Sequence, residues 1–171
     1  MWMRRVCLIF AALTYFVATS AGQNTENALY GKWKIRRILP ARTISCWGDK
    51  EARTIVGTEI EYSQSYFRWK NIIVKNPKAT ARTVTAEQYH DENSGGSSNS
   101  SQVTFQQLGI AAKQTTLITI EHSPGEVTGA TTEIPGDQVL IKDKDTIVFS
   151  VCNVYFEAQR TPMGSSSKSK K

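Results

Sequence analysis

Several stretches of the chain hold residue types that do chemistry. His90-Asp91-Glu92 sets an imidazole beside two carboxylates, a donor set for a divalent cation or for a general base with its orienting acid. His122 stands alone before Ser123-Pro124. Residues 142–146, "KDKDT", alternate oxygen donors as in half of a calcium loop, but they lack its central glycine and terminal glutamate. They read better as a hairpin turn. A contiguous polar run on a loop is ordinarily solvated, and nothing in the sequence places a partner to orient either histidine. Both histidines therefore read as exposed turn residues. The serine-rich runs contain no Gly-x-Ser-x-Gly elbow, and no phosphate loop or dinucleotide fingerprint is present. The expectation is a protein that is not an enzyme and uses no metal or cofactor.

The cysteines carry a different chemistry. Beyond the N-terminal apolar segment the chain has two, Cys46 and Cys152. An even pair in an oxidising compartment reads as a disulfide. A metal or redox thiol pair would want a CxxC or a histidine at ligand spacing, and neither is there. Closing a loop of that length contributes about 4–5 kcal/mol in the chain-entropy account, less any strain.

The compartment follows from the N-terminus. "MWMRR" is basic, "VCLIFAALTYFV" is a twelve-residue apolar run from Val6 to Val17, and "ATSAG" supplies small residues. That order is a secretory signal peptide, expected over 1–22. The run is too short to span a bilayer, which takes about 20 apolar residues. Ordinary export suits the flanks better than twin-arginine export, and Cys7 lacks a lipoprotein context. The expected location is periplasmic or extracellular, with no membrane span in the mature protein. The C-terminal stretch 162–171 is Ser- and Lys-rich and reads as a solvated tail. These ends hold much of the formal charge of +6: without Arg4 and Arg5 it is +4, and without Lys168, Lys170 and Lys171 it is +1. No basic footprint remains for nucleic acid.

One domain, 23–161, is left. Its patterning is that of short strands. "WKIRRIL" alternates, with Trp33, Ile35 and Leu39 on one parity. "DKEARTIVG" suggests a short helix capped by Asp49 and closed by Gly57. "TEIEYS", "YFRWKNIIV" with a turn at Lys70-Asn71, and "ATARTVTAEQYH" read as strands. Asp91–Gln102 is a loop by composition, with a sequon at Asn99. "TFQQLGI" reads as a helical turn closed by Gly109. Strands come next in "TTLITIEHS", "EVTGATTEI", "QVLIKD", "DTIVFSV" and "VYFEAQR", with turns at Pro124-Gly125 and Pro135-Gly136-Asp137. The total is about eight to ten strands with one or two short helices, an all-β antiparallel barrel.

In "VYFEAQR" the face holding Val154, Phe156 and Ala158 is apolar, so Arg160 ends the strand on the inward side. Closure makes first and last strands neighbours, which sets Arg160 over Trp33. Gly31-x-Trp33 on the first strand with Arg160 ending the last resembles the lipocalin or calycin arrangement, and secreted bacterial β-barrel proteins of that type. The resemblance implies that Gly31, Trp33 and Arg160 close one end of the barrel. It also implies that the other end admits a small apolar ligand. Tyr62, Phe67 and Trp69 are the candidates to line that mouth. An alternative is a protein-binding module, such as an inhibitor of an envelope hydrolase or a toxin, presenting Asp91–Gln102 to its partner.

Overall fold

The computed structural model describes residues 27–42, 47–93, 103–122, 127–128 and 134–162. The expected signal peptide, Cys46, residues 94–102 of the expected loop, the Pro124-Gly125 turn and the tail from 163 lie outside the described residues.

The chain runs β1 (Gly31–Arg42), α1 (Asp49–Arg53), β2 (Glu59–Tyr62), β3 (Tyr66–Trp69), β4 (Ile72–Lys75), β5 (Lys78–Thr85), α2 (Ala86–Asn93), β6 (Gln114–Glu121), β7 (Val127–Thr128), β8 (Gln138–Asp143), β9 (Thr146–Val151) and β10 (Val154–Arg160). All ten described strands join one sheet in the order β5-β6-β8-β9-β10-β1-β2-β3-β4-β7, curled into a half-barrel. Every described pairing is antiparallel. β1 and β10, the first and last strands, pair at the centre of the sheet. β5 and β7 end it without pairing to each other, so the barrel is not closed by hydrogen bonds among the described residues.

Alternation puts one set of side chains on the concave face. Trp33, Ile60, Phe67, Ile118, Ile147, Phe149 and Phe156 are among the residues buried there. The Phe149 and Phe156 rings stack at 5.5 Å. The concave face is therefore packed with large side chains.

A second core covers the convex face. It contains Leu39, Ala41, Val84, Tyr89, Leu117, Leu140, Val148 and Tyr155, with Val103, Phe105, Leu108 and Ile110 laid over them. Two features create it. The first is a bulge in β1. Ile35 pairs with Ala158 and Arg37 with Glu157, so Arg36 is an extra residue. One inserted residue inverts the parity of the rest of the strand. Ile38 then pairs with Phe156 towards the concave core, and Leu39 packs in the convex one. The expected common face of Trp33, Ile35 and Leu39 is thus broken at Arg36. Pro40, which has no N–H to give a ladder, sits in the second irregular stretch, between Ile38 and Arg42.

The second feature is a helix where the sequence reads as a strand. The expected strand over residues 79–90 ends at Thr85, and Ala86–Asn93 is α2. The Gln88 N–H donates to Thr85 Oγ1 at 3.1 Å, and the Thr85 N–H donates to Gln88 Oε1 at 3.0 Å, a reciprocal capping box. Thr104 and Gln107 repeat it, at 2.9 and 3.2 Å, where the turn over 105–109 begins. α2 carries Tyr89 into the convex core against Phe105, ring centroids 5.8 Å apart. His90 therefore belongs to a helix and not to the expected strand, and Asp91 to Asn93 to that helix and not to the expected loop. His90 is half-buried rather than an exposed turn residue.

Candidate functional site

One end of the half-barrel is held by a clamp. The Arg160 guanidinium carbon lies 4.1 Å from the Trp33 ring centroid. Its Nη1 donates to the Tyr30 carbonyl at 2.6 Å, and its Nη2 donates to the Ala28 carbonyl. Trp33 Nε1 donates to the Leu29 carbonyl at 2.7 Å. Together they fasten residues 28–30 across the end of the sheet. Gly31 has φ +131, and a β-carbon there would sit 2.9 Å from Arg160 Nη1, so backbone and guanidinium both want glycine at that position. The groups of this clamp are mutually satisfied, and the contacts are structural.

The expected ligand residues separate. The Tyr62 and Phe67 rings stack at 5.1 Å, 3 % and 1 % exposed, inside the concave core. The Tyr62 hydroxyl donates to the Gly136 carbonyl at 2.8 Å. Burial pushes its phenol well up, and Asp137 adds to the effect. Gly136 has φ +86, and a β-carbon on it would meet that hydroxyl at 2.3 Å. Tyr62 is thus a lock on the β7–β8 side, and Phe67 is packing.

Trp69 is different. With residues of α1 and the β3–β4 turn it borders a cleft of about 310 Å³. Trp47, Ile55 and Trp69 give the cleft an apolar wall, and Lys50, Thr54 and Lys70 rim it. α1 starts at Gly48 without a side-chain cap, so Asp49 stands in the first turn rather than at the expected capping position. Ala52 and Ile55 anchor the segment in the concave core. After Gly57, with φ +90, the chain returns to β1: the Gly57 N–H donates to the Ile35 carbonyl at 2.8 Å, and the Ile35 N–H donates to the Thr58 carbonyl at 2.9 Å. Trp69 Nε1 donates to Thr58 Oγ1 at 3.0 Å, and that hydroxyl donates to the Ile55 carbonyl at 2.7 Å. The indole is so fixed against the helix it faces. The Lys70 ammonium lies 4.5 Å from the Trp69 ring centroid.

A comparison with protein-family models, curated proteins and solved structures finds no match to this chain. The chemistry of the site has to be read from its own residues.

The histidines do not line this cleft. His122 follows β6, half-buried, its Nδ1 buried and without a hydrogen-bond partner among the described residues. No group of three or more metal-ligating side chains occurs among the described residues, and residues 142–146 form the β8–β9 hairpin. Cys152 is buried in the β9–β10 turn. No helix among the described residues is long and apolar enough to cross a membrane.

The sequence singled out Trp69 but not Lys50, Thr54, Ile55 and Lys70, which line the same cleft. The cleft joins a five-residue helix to a turn some twenty residues away, and no linear pattern signals that meeting. The one hint was Trp47 ahead of a short amphipathic helix.

Proposed function

We propose that the chain is an exported, non-enzymatic binding protein of lipocalin-like type that takes a small apolar ligand in the cleft between α1 and the β3–β4 turn. The cleft itself carries the reading: the half-buried Trp47 and the edge of Trp69 border open space, with the buried Ile55 beneath them. Two tryptophans and an isoleucine offer apolar contact, and the Trp69 hydrogen bond to Thr58 prepays its ordering. A volume of about 310 Å³ stands at the low end of the range for small-molecule sites, so the ligand is small. The half-barrel with paired first and last strands is in keeping with a lipocalin-like scaffold, but the apolar contact lies at its rim.

Export to the periplasm or the cell exterior rests on the sequence of residues 1–22. The Cys46–Cys152 disulfide belongs to the same proposal. It would tie the residue next to Trp47 to the β9–β10 turn and so fix one wall of the cleft.

The test is native mass spectrometry of the mature protein purified gently from its own cell envelope, with Trp69→Phe as comparison. A small added mass, lost or weakened in the variant, is the expected result. A bare chain that also fails to bind any of a panel of small apolar compounds would overturn the reading. A protein partner in place of a small mass would replace it with the protein-binding alternative.

A further inference from the structure

We infer that the ligand of the cleft is a small amphiphile with one anionic head, such as an aryl carboxylate. This rests on the reading that the cleft binds a ligand, and it adds the chemical class.

The size of the space sets the scale of the ligand. At about 310 Å³ the cleft stands at the low end of small-molecule sites. That suits a single aromatic ring with a short head.

The charges set its sign. Lys50 on α1 and Lys70 on the β3–β4 turn approach the cleft from its two sides. Neither has an ion-pair partner among the described residues. Lys70 is held at the mouth by its contact with the Trp69 ring, so its ammonium stands where an apolar body would end.

One carboxylate also lines the cleft, that of Glu51. It is turned towards the start of its own helix, with Oε2 2.9 Å from the place a Gly48 β-carbon would take. An anion entering between the lysines thus meets two positive charges and one withdrawn negative charge. An ammonium would meet the opposite. An aromatic carboxylate can lay its ring against the half-buried Trp47 and direct its oxygens at Lys50 and Lys70, which donate N–H groups and accept none.

The experiment uses the full mature chain, labelled with nitrogen-15, and three compounds with one body: phenylacetate, 2-phenylethanol and phenethylammonium. The indole N–H signals are followed at low ionic strength, with those of Trp47 and Trp69 assigned through Trp47→Phe and Trp69→Phe. Phenylacetate is expected to move both signals, to leave Trp33 unmoved, and to bind roughly fivefold tighter than 2-phenylethanol, the order that exposed ion pairs supply. In the double variant Lys50→Gln/Lys70→Gln that preference should vanish while binding of 2-phenylethanol persists. Equal binding of alcohol and carboxylate, or preference for the ammonium, would overturn the inference and leave the binding site standing. Failure of all three compounds to move either signal would overturn this inference and the cleft as a ligand site together.

Discussion

The Arg160 guanidinium lies over the Trp33 ring at 4.1 Å, and the two residues are direct cross-strand partners in the β1–β10 ladder. The same line of partners continues from Trp33 to Ile60, from Ile60 to Trp69, and from Trp69 to Ile72. A single row across five strands thus connects the clamp to the residue that borders the cleft.

Arg160→Ala removes the ring contact and three hydrogen bonds to carbonyls, those of Ala28, Tyr30 and Lys144. It should cost about 2 kcal/mol in urea denaturation, with the fold retained. Arg160→Lys should recover less than half of that, because a single ammonium cannot reach two carbonyls and cover an indole at once. Gly31→Ala should be destabilising too, through the positive φ and the approach to Nη1. Full stability of Arg160→Ala would show that residues 28–30 do not need the clamp.

Leu39→Ala tests the convex core. Leu39 is 4 % exposed, so the loss should be about 2–4 kcal/mol, as for a concave-core leucine. Deleting Arg36 should be milder, because Arg37 stays opposite Glu157 and Ile38 opposite Phe156 and only the bulge is lost. A change below about 0.5 kcal/mol for Leu39→Ala, the level of an exposed site, would mean that the convex cover contributes nothing.

Glu157 predicts a pH dependence. Burial would push its carboxyl up, but the hydrogen bonds from Arg37 and Lys142 outweigh it and hold the group below the usual glutamate range. Arg37 donates to it from Nε and Nη2 at 3.0 Å each, and Lys142 Nζ donates at 2.7 Å. A depressed folded pKa contributes stability that is present above the unfolded value, near about pH 4.3, and is lost as pH falls through the folded one. Glu61 and Glu92 are lowered as well, so the wild type sums several such losses. Glu157→Gln isolates one of them: the variant should be less stable at about pH 7, and the gap should narrow below about pH 4. A gap independent of pH between about 7 and 3 would rule out the carboxylate as its source.

Cys152 and Asn153 form the two-residue β9–β10 turn, with φ of 52° and 59°. Positive φ at both positions is the type I′ pattern, in which Asn-Gly is favoured. Asn153→Gly should be neutral or slightly stabilising, whereas Asn153→Val should cost about 1–2 kcal/mol. Mass analysis of the unreduced mature protein should find no free thiols at Cys46 and Cys152. Two free thiols would remove the proposed disulfide.

Much of the fold could be read from the sequence because period-2 alternation reports burial directly. Strands β6, β8, β9 and β10, the Lys70 turn and the pairing of first and last strands all come from it. Leu39 escaped because one extra residue at Arg36 inverts parity without changing composition. The helix over Ala86–Asn93 escaped because its threonine-rich approach has high β-propensity, although Thr85-x-x-Gln88 spelled a capping box. Tyr155 and Glu157 read as solvent-facing by alternation, but both are buried, because the cover over them comes from segments distant in sequence. The cleft was the least legible part, since its wall is shared between a short helix and a turn.

The open sheet has a consequence for colloidal behaviour. An unpaired strand edge is a template on which a second molecule can add, and among the described residues β5 runs along one such edge for eight residues. β5 carries Lys78 and Arg82, and Arg82 is ion-paired to Glu92 of α2, which packs at its end. Long charged side chains and a neighbouring helix are among the devices that keep such an edge from annealing with its copies. Neutralising them would turn a monomer-compatible half-barrel into a nucleus for edge-to-edge assembly.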